Sequence, residues 1–223
     1  MRIIGGTAAR RNLKAPKGLA VRPTPDLVRQ AVFNSLGNRV AEAMVLELFG
    51  GTGALSLESL SRGAKHAVCV ELSRRHALGI RANFQALNLP DHTLSIWVKD
   101  VYSTVPALIA KNERYDLIFA DPPYGEKNVN QRSRSDAQKL LDDAFLPELL
   151  KPEGLFVLGH AKRDQLQITH AWEEVKCLRH GDSIMRFLRR SQSRQPSSSE
   201  TPLIHAVEPQ QGRVNPGDVS TSE

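Results

Sequence analysis

The stretch Tyr115-Asp-Leu-Ile-Phe-Ala-Asp-Pro-Pro-Tyr124 decides the fold class of this 223-residue chain. The apolar run at 117–120 predicts a strand buried on both faces, and the two prolines prevent that strand from continuing. Asp121 therefore follows the carboxyl end of a strand, which is where open α/β sheets bind their ligands. Tyr124 adds an aromatic face beside the carboxylate.

The residues Asp121, Pro122, Pro123 and Tyr124 suit a planar ring that carries an exocyclic amine. Proline has no N–H and a fixed φ, so the Pro122 carbonyl is rigidly placed and can accept a hydrogen bond. With the Asp121 carboxylate it could take both amine hydrogens while Tyr124 stacks on the ring, as in the pocket for a flipped nucleobase. The alternative is a plain proline-rich turn after a strand.

A glycine-rich turn lies upstream of this motif. Val45-Leu-Glu-Leu-Phe49 predicts a buried strand, and Gly50-Gly-Thr-Gly53 leads that strand into a helix. Gly51 and Gly53 would let a ligand approach the backbone beside the N–H groups of the helix. The next strand ends in Glu71, about 20 residues past the turn, where a carboxylate binds ribose hydroxyls in such folds.

Strands and helices alternate along most of the chain. The predicted helices cover residues 25–36, 54–61, 73–87, 104–111 and 136–150, and Thr24 is the expected cap of the first. Further strands are predicted at 94–98 and 155–158, with a hairpin-like pair at 175–179 and 184–188. This alternation predicts a parallel α/β fold with seven strands, and short strands at 2–6 and 19–21 flank a basic loop before it.

Composition limits the class of protein. The net charge is +6, and the first 30 residues hold seven arginines and lysines against Asp26 alone. Such a patch favours a polyanionic partner, although a solvated basic tail has the same composition. Cys69 and Cys177 lack metal or redox spacing, so both are expected to be buried thiols in a reducing compartment.

The sequence also argues against a metal-binding protein and against a membrane or exported protein. The seven histidines show no ligand spacing, so no metal site is predicted. The sequence has no run of 18 apolar residues and no signal-type leader, so we expect no membrane association and a cytoplasmic protein. A monomer is the expected state.

These motifs resemble the amino-methyltransferases that use S-adenosylmethionine, whose signature is Asp/Asn-Pro-Pro-Tyr/Phe after the fourth strand. A dinucleotide oxidoreductase fits less well, because Ser56 stands where the third glycine of G-x-G-x-x-G is required. The resemblance becomes specific with six further segments: Arg2-Ile-Ile-Gly-Gly, Leu13-Lys14, Arg22-Pro-Thr24, Val28-Arg29, Phe33-Asn34 and Leu55-Ser-Leu-Glu-Ser-Leu-Ser-Arg-Gly-Ala64. Over residues 2–188 the chain is similar to the RsmD family, which methylates the guanine N2 amine of 16S ribosomal RNA.

The resemblance implies a Rossmann-like, seven-stranded class I methyltransferase sheet with S-adenosylmethionine as cofactor. By this resemblance, the methionine end of the cofactor would contact Glu47, Phe49, Gly51 and Gly53. The ribose would contact Glu71, and the adenine would contact Asp100 and Val101. Two more residues match the segment that closes over the methionine part, Arg22 and Thr24. The guanine would lie against Asp121, Pro122, Pro123 and Tyr124.

The resemblance also implies three parts of the chain and an RNA partner. Residues 1–24 would form a small basic extension, an RNA-binding arm with Arg10, Arg11 and Lys14. Residues 25–190 would form the methyltransferase domain, and residues 191–223, which are rich in Ser, Pro, Gln and Gly, are expected to be disordered. The partner would be 16S rRNA or a small-subunit ribosomal particle. Arg10 departs from the family pattern, because a glycine usually stands there.

Other functions remain open at this point. The same chemistry on adenine N6 or cytosine N4 of DNA, or on a glutamine amide, is separated from guanine N2 only by the family resemblance. An RNA-binding module that kept the fold and lost the chemistry is the alternative from another class. The intact acidic residues favour an enzyme.

Deletion of residues 191–223 should leave folding and activity unchanged, because their composition cannot bury an apolar surface. Thermal melting and RNA methylation by a chain that ends at residue 190, measured beside the full chain, check this. A truncated chain that unfolds or is inactive would contradict the expectation.

Overall fold

The computed structural model describes residues 1–15, 24–125, 127–128 and 131–191. Met1–Ser191 is one compact unit, and residues 192–223 lie outside the described residues. The strand predicted at 19–21, the site residue Arg22 and the tail predicted to be disordered, except Ser191, also lie outside them.

The described part of the chain forms a seven-stranded sheet. Its strands are β1 (Met44–Leu48), β2 (His66–Val70), β3 (Leu94–Trp97), β4 (Tyr115–Ala120), β5 (Leu150–Ala161), β6 (Trp172–His180) and β7 (Ser183–Arg190). Their order in the sheet is β3-β2-β1-β4-β5-β7-β6. Strands β1 to β5 are parallel, and β7 is antiparallel to both β5 and β6. The predicted Rossmann-like class I sheet is confirmed.

Helices cover both faces of this sheet. They are α1 (Asp26–Leu36), α2 (Ala54–Ser61), α3 (Arg74–Ala86), α4 (Val101–Ala110) and α5 (Asp136–Asp142), with short 3₁₀ helices at Gly37–Val40, Asp91–Thr93 and Leu146–Leu149. Alternate side chains of β4 enter different cores: Leu117 and Phe119 pack with α1 to α3, whereas Ile118 and Ala120 pack with α4 and α5. A strand buried on both faces is apolar at every position, which explains the continuous run in the sequence.

The predicted helix at 136–150 is wrong in extent. Helix α5 ends at Asp142, and the Asp143 carboxylate accepts hydrogen bonds from the N–H groups of Phe145 (2.8 Å) and Leu146 (2.9 Å). Such a side-chain turn competes with continued helix. The predicted cap of α1 is also wrong, because Pro25 occupies the cap position and the Thr24 hydroxyl donates elsewhere.

The first 15 residues pack on the same core as the helices. Ile3, Ala8 and Leu13 are buried, and an antiparallel bridge joins Arg2 to Asn12 in place of a regular strand pair. The domain boundary predicted at residue 24 stays a prediction.

Buried charges hold this N-terminal segment. The Glu58 carboxylate of α2 is fully buried and accepts hydrogen bonds from the N–H groups of Ile4 (2.7 Å) and Gly5 (2.8 Å) and from Arg62 Nε (2.7 Å). These bonds satisfy two backbone N–H groups that would otherwise be shielded from water without a hydrogen-bond acceptor.

Arg29 of α1 is equally buried. Its guanidinium donates to the carbonyls of Thr24 (2.8 Å) and Arg2 and to the Asp26 carboxylate (3.0 Å). One side chain therefore joins the start of the chain, the entry to α1 and the helix itself.

Three smaller expectations concern cysteines, metals and membranes. Cys69 is buried as predicted, but Cys177 on β6 is partly exposed, so its predicted burial is wrong. Among the described residues, no three His, Cys, Asp or Glu side chains lie close enough to hold a metal ion. The described helices are all too short or too polar to cross a membrane.

Replacing Glu58 with alanine should lower the free energy of unfolding by about 2–5 kcal/mol, because it leaves two backbone donors and an arginine without their acceptor. Urea denaturation measures the loss. Glu58→Gln, which keeps the volume and one acceptor oxygen, should lose less. Glu173→Ala, which breaks an exposed pair with Arg189, is the control for removing a charge. Equal stability of Glu58→Ala and this control would show that the buried bonds contribute nothing.

Candidate active site

A cleft of about 460 Å³ opens at the carboxyl ends of the parallel strands. It lies where the strand order reverses between β1 and β4, which is the usual ligand position in such sheets. Each wall is a segment that follows one strand: Phe49 and Gly51 after β1; Glu71, Leu72, Ser73 and His76 after β2; Asp100, Val101 and Tyr102 after β3; Asp121, Pro123 and Asp136 after β4.

The turn after β1 needs left-handed backbone at three positions. Phe49, Gly51 and Gly53 have φ of 59°, 55° and 72°. A Cβ at Gly53 would lie 2.7 Å from Ile80 Cγ2, so this glycine allows α3 to pack closely. A Cβ at Gly51 would meet only the Phe49 carbonyl oxygen, at 3.8 Å. Gly51 therefore borders the cleft, whereas Gly53 does not line it.

Glu47 on β1 lies beneath the turn and does not line the cleft. Its carboxylate accepts hydrogen bonds from the N–H groups of Leu55 (3.2 Å) and Ser56 (2.9 Å), in the first turn of α2. Burial raises the pKa of Glu47 to about 7, and these hydrogen bonds partly oppose the rise. In this structure the residue fastens α2 to β1, and its predicted cofactor contact stays a prediction.

Glu71 is held at the cleft wall by two backbone donors. Oε2 accepts from the N–H of Gly51 (2.7 Å) and Oε1 from the N–H of Ser73 (2.8 Å). His76 Nδ1 lies 3.3 Å from Oε1. Each carboxylate oxygen can accept a further bond, so Glu71 can still bind hydroxyl groups in the cleft.

Asp100 caps α4 on the same side of the cleft. Its Oδ1 accepts from the N–H groups of Tyr102 (2.9 Å) and Ser103 (3.1 Å), and Val101 beside it is buried. The cap occupies one carboxylate oxygen and leaves Oδ2 available. The structure thus brings Glu71 and Asp100 to one cleft, where a nucleoside could meet both.

Asp121 carries an unsatisfied acceptor. Its Oδ2 accepts from the Thr24 hydroxyl, while Oδ1 is buried without a hydrogen-bond partner. A Cβ at Gly159 on the neighbouring strand β5 would overlap Oδ1, so the glycine makes room for this oxygen. Burial raises the pKa of Asp121 to about 6, and the Thr24 hydrogen bond opposes the rise.

The rest of the motif connects the cleft to its surroundings. Pro122 is buried, Pro123 lines the cleft, and Tyr124 lines an adjoining groove. The Tyr124 hydroxyl lies 2.8 Å from Ser183 Oγ at the start of β7. This contact ties the tyrosine side chain to the start of β7.

Sequence reasoning missed four polar residues of the cleft: Ser73, His76, Tyr102 and Asp136. The Tyr102 hydroxyl donates to Asp136 Oδ1 (2.8 Å), and its ring meets the Phe49 ring edge to face at 6.4 Å. Burial raises the pKa of Tyr102, so its hydroxyl stays protonated. Tyr102 could have been found from its place two residues after Asp100. Asp136 gives no local signal, because a long loop brings it to the cleft.

The residues predicted to bind RNA lie on the surface and do not line the cleft. Arg10, Arg11 and Lys14 are exposed, and Arg11 donates to the Ala86 carbonyl (2.9 Å). The backbone of Lys14 is held on both sides by Asn83 (2.9 and 3.0 Å). Arg10 has φ of 69°, a left-handed backbone conformation that glycine adopts more readily than other residues.

Relatives of this chain are known. YlbH of Bacillus subtilis, named "Putative rRNA methyltransferase YlbH", is 31% identical over 169 residues, which cover 76% of this chain and 87% of the relative. "Ribosomal RNA small subunit methyltransferase D" of Escherichia coli K12 is 34% identical over 125 residues, 56% of this chain and 60% of that protein.

Structure and family give the same relationship. A hypothetical protein of Thermus thermophilus superposes with a TM-score of 0.70 at 27% identity, covering 85% of this chain and 99% of that one. The model of the family described as "Conserved hypothetical protein 95" matches residues 1–189, almost all of the described chain. The chain therefore belongs to this family, the RsmD family of S-adenosylmethionine-dependent rRNA methyltransferases.

Proposed function

We propose that this protein transfers a methyl group from S-adenosylmethionine to the exocyclic N2 amine of a guanine in 16S rRNA of the small ribosomal subunit. The observation that carries the proposal is the buried, unpartnered Oδ1 of Asp121, a residue that lines the cleft. An acceptor buried without a donor is costly and points to a ligand that supplies one. The names of the two curated relatives support rRNA as the substrate class.

The cleft residues fit the cofactor. Glu71 would accept from the ribose hydroxyls, Asp100 with Val101 would hold the adenine, and Phe49 with Gly51 would border the methionine end. When bound there, S-adenosylmethionine supplies an electrophilic methyl group on its sulfonium. Four further residues are proposed to contact the cofactor on the family resemblance alone: Arg22, Thr24, Glu47 and Gly53.

The protein's part in the reaction is to position the amine and take its proton. Asp121 Oδ1 would accept one amine hydrogen and the Pro122 carbonyl the other, while Tyr124 stacks on the extruded base. The amine lone pair is delocalised into the ring, so two acceptors that favour a tetrahedral nitrogen help most in the transition state. With a pKa of about 6, Asp121 is mostly ionised at neutral pH and can receive the proton that leaves as the N–CH₃ bond forms.

The partner and setting belong to the same proposal. The substrate would be 16S rRNA or a small-subunit ribosomal particle, reached by a monomer in the cytoplasm. The exposed cations Arg10, Arg11 and Lys14 would contact RNA phosphates.

Mass spectrometry of rRNA nucleosides from cells that lack the gene tests the proposal as a whole. A missing N2-methylguanosine, restored by the wild-type gene, is the expected result. An unchanged nucleoside profile would favour adenine N6 or cytosine N4 of DNA as the target, or a non-catalytic RNA-binding role.

Asp121→Ala should lower the single-turnover methylation rate by roughly a hundredfold or more and spare cofactor binding. Loss of a charge-assisted hydrogen bond costs about 1.5–3 kcal/mol, and misplacement of the amine adds to it. Glu71→Ala should do the opposite and weaken S-adenosylmethionine binding, which calorimetry measures. Each variant is the control for the other. If Asp121→Ala methylated at a near-normal rate, or lost only cofactor affinity, the assigned role would be wrong.

The value of kcat/KM should fall about tenfold per pH unit below pH 6, because Asp121 must be ionised to accept the amine proton. Thr24→Val removes the hydrogen bond that lowers the pKa of Asp121, so its midpoint should lie at higher pH. Asp121→Asn does not titrate and should lack this fall at whatever activity it retains. Identical pH profiles for the wild-type protein and both variants would exclude Asp121 as the titrating group.

A further inference from the structure

A second groove, of about 780 Å³, adjoins the cleft. Pro123 and Asp136 line both, so the two cavities meet at the Asp-Pro-Pro-Tyr motif. Tyr124 and Gly125 continue the wall of the groove, and the segment at 131–135 faces them. A strand of polymer could therefore run from the groove to the reacting base without crossing the sheet.

The lining of this groove is strongly basic. Among the described residues of its lining, Asp136 is the one carboxylate and four residues are cations: Lys127, Arg132, Arg134 and Lys139. Lys139 pairs with Asp136 (3.0 Å), and Arg132 pairs with Asp142 outside the groove.

Lys127 and Arg134 differ from the other two cations. Both are exposed, and no described residue accepts a hydrogen bond from either side chain. Of the described cations on this wall, these two are available to an anion.

The wall that carries them is anchored to the rest of the protein. The Asn128 side chain donates to the Gln165 carbonyl (3.1 Å) and accepts from the Gln165 N–H (2.9 Å). Arg163 Nε donates to the Gly125 carbonyl (3.3 Å), and Ser135 caps α5 through the Gln138 N–H (3.2 Å). Because these contacts hold Gly125, Asn128 and Ser135 in place before a ligand arrives, binding at the described part of this wall would cost less ordering entropy than binding to a free loop.

We propose that this groove holds the sugar–phosphate backbone of the RNA strand beside the target nucleotide, with Lys127 and Arg134 on its phosphates. The inference rests on the proposed function and names a contact surface distinct from the N-terminal cations. Phosphate contacts fix the register of a nucleic acid without reading its sequence. A base that is methylated outside a stack needs flanking backbone held single-stranded, and a basic groove next to an aromatic ring provides such a site.

The test compares two charge-matched double variants. Lys127→Ala with Arg134→Ala removes the available cations of the groove. Lys65→Ala with Arg190→Ala removes two exposed cations away from the groove, just before β2 and at the end of β7. Filter binding to deproteinised 16S rRNA is measured from about 50 to 300 mM salt, where each phosphate contact adds to the salt dependence. S-adenosylmethionine affinity is measured separately by calorimetry.

The groove variant should bind the RNA about 2- to 30-fold more weakly at low salt, as expected for two surface ion pairs. The slope of log K against log salt should become shallower by about 1.4–1.8, from roughly 0.7–0.9 per lost contact. Cofactor affinity should not change. Lys127→Arg with Arg134→Lys keeps both charges and should restore the slope.

A groove variant whose salt slope equals that of the control would overturn the proposal. Weaker methylation of ribosomal particles with unchanged binding to free rRNA would also overturn it, because the groove would then contact a ribosomal protein. The proposed function is tested separately, and it fails if the wild-type protein does not methylate rRNA. In that case the salt slopes still decide whether the groove binds RNA.

Discussion

The hydrogen bond from Thr24 to Asp121 is the interaction on which the site depends. Asp121 follows a central strand and its Oδ1 is buried, so without a donor the charge of this carboxylate would be costly. Thr24 satisfies one carboxylate oxygen, and Gly159 leaves space for the other, which stays unpaired. The site is therefore organised around one carboxylate with one oxygen satisfied by the protein and the other buried without a partner.

This bond makes the N-terminal segment part of the site. Thr24 is placed by Arg29, whose guanidinium also holds the carbonyl of Arg2, and Glu58 fixes the neighbouring N–H groups of Ile4 and Gly5. The charges of Arg29 and Glu58 are buried, so each holds its partners in one geometry. The N-terminal segment, which the sequence predicts to be an RNA-binding arm, therefore also helps to position Asp121, because Arg29 joins it to Thr24.

Residues of one sequence motif, in and after β1, take different structural roles. Glu47 and Gly53 occupy motif positions that were expected to contact the cofactor. In the structure Glu47 anchors α2, and Gly53 leaves room for the Ile80 side chain to pack. Gly51 borders the cleft. A motif gives the order of residues along the backbone, whereas burial and neighbouring helices decide which of them reaches solvent. The spacing of the glycines could not separate these roles.

The sequence by itself determined the alternation of strands and helices, the number of strands and the positions of Glu71, Asp100 and Asp121 at strand ends. Those features follow from local periodicity and from proline and glycine, which act within a few residues. Only the tertiary structure decided that Thr24 binds Asp121, that Asp136 joins the cleft and that Lys127 and Arg134 lie beside it on the groove wall. These outcomes join residues far apart in the chain, because packing of the sheet, and not local pattern, brings them together.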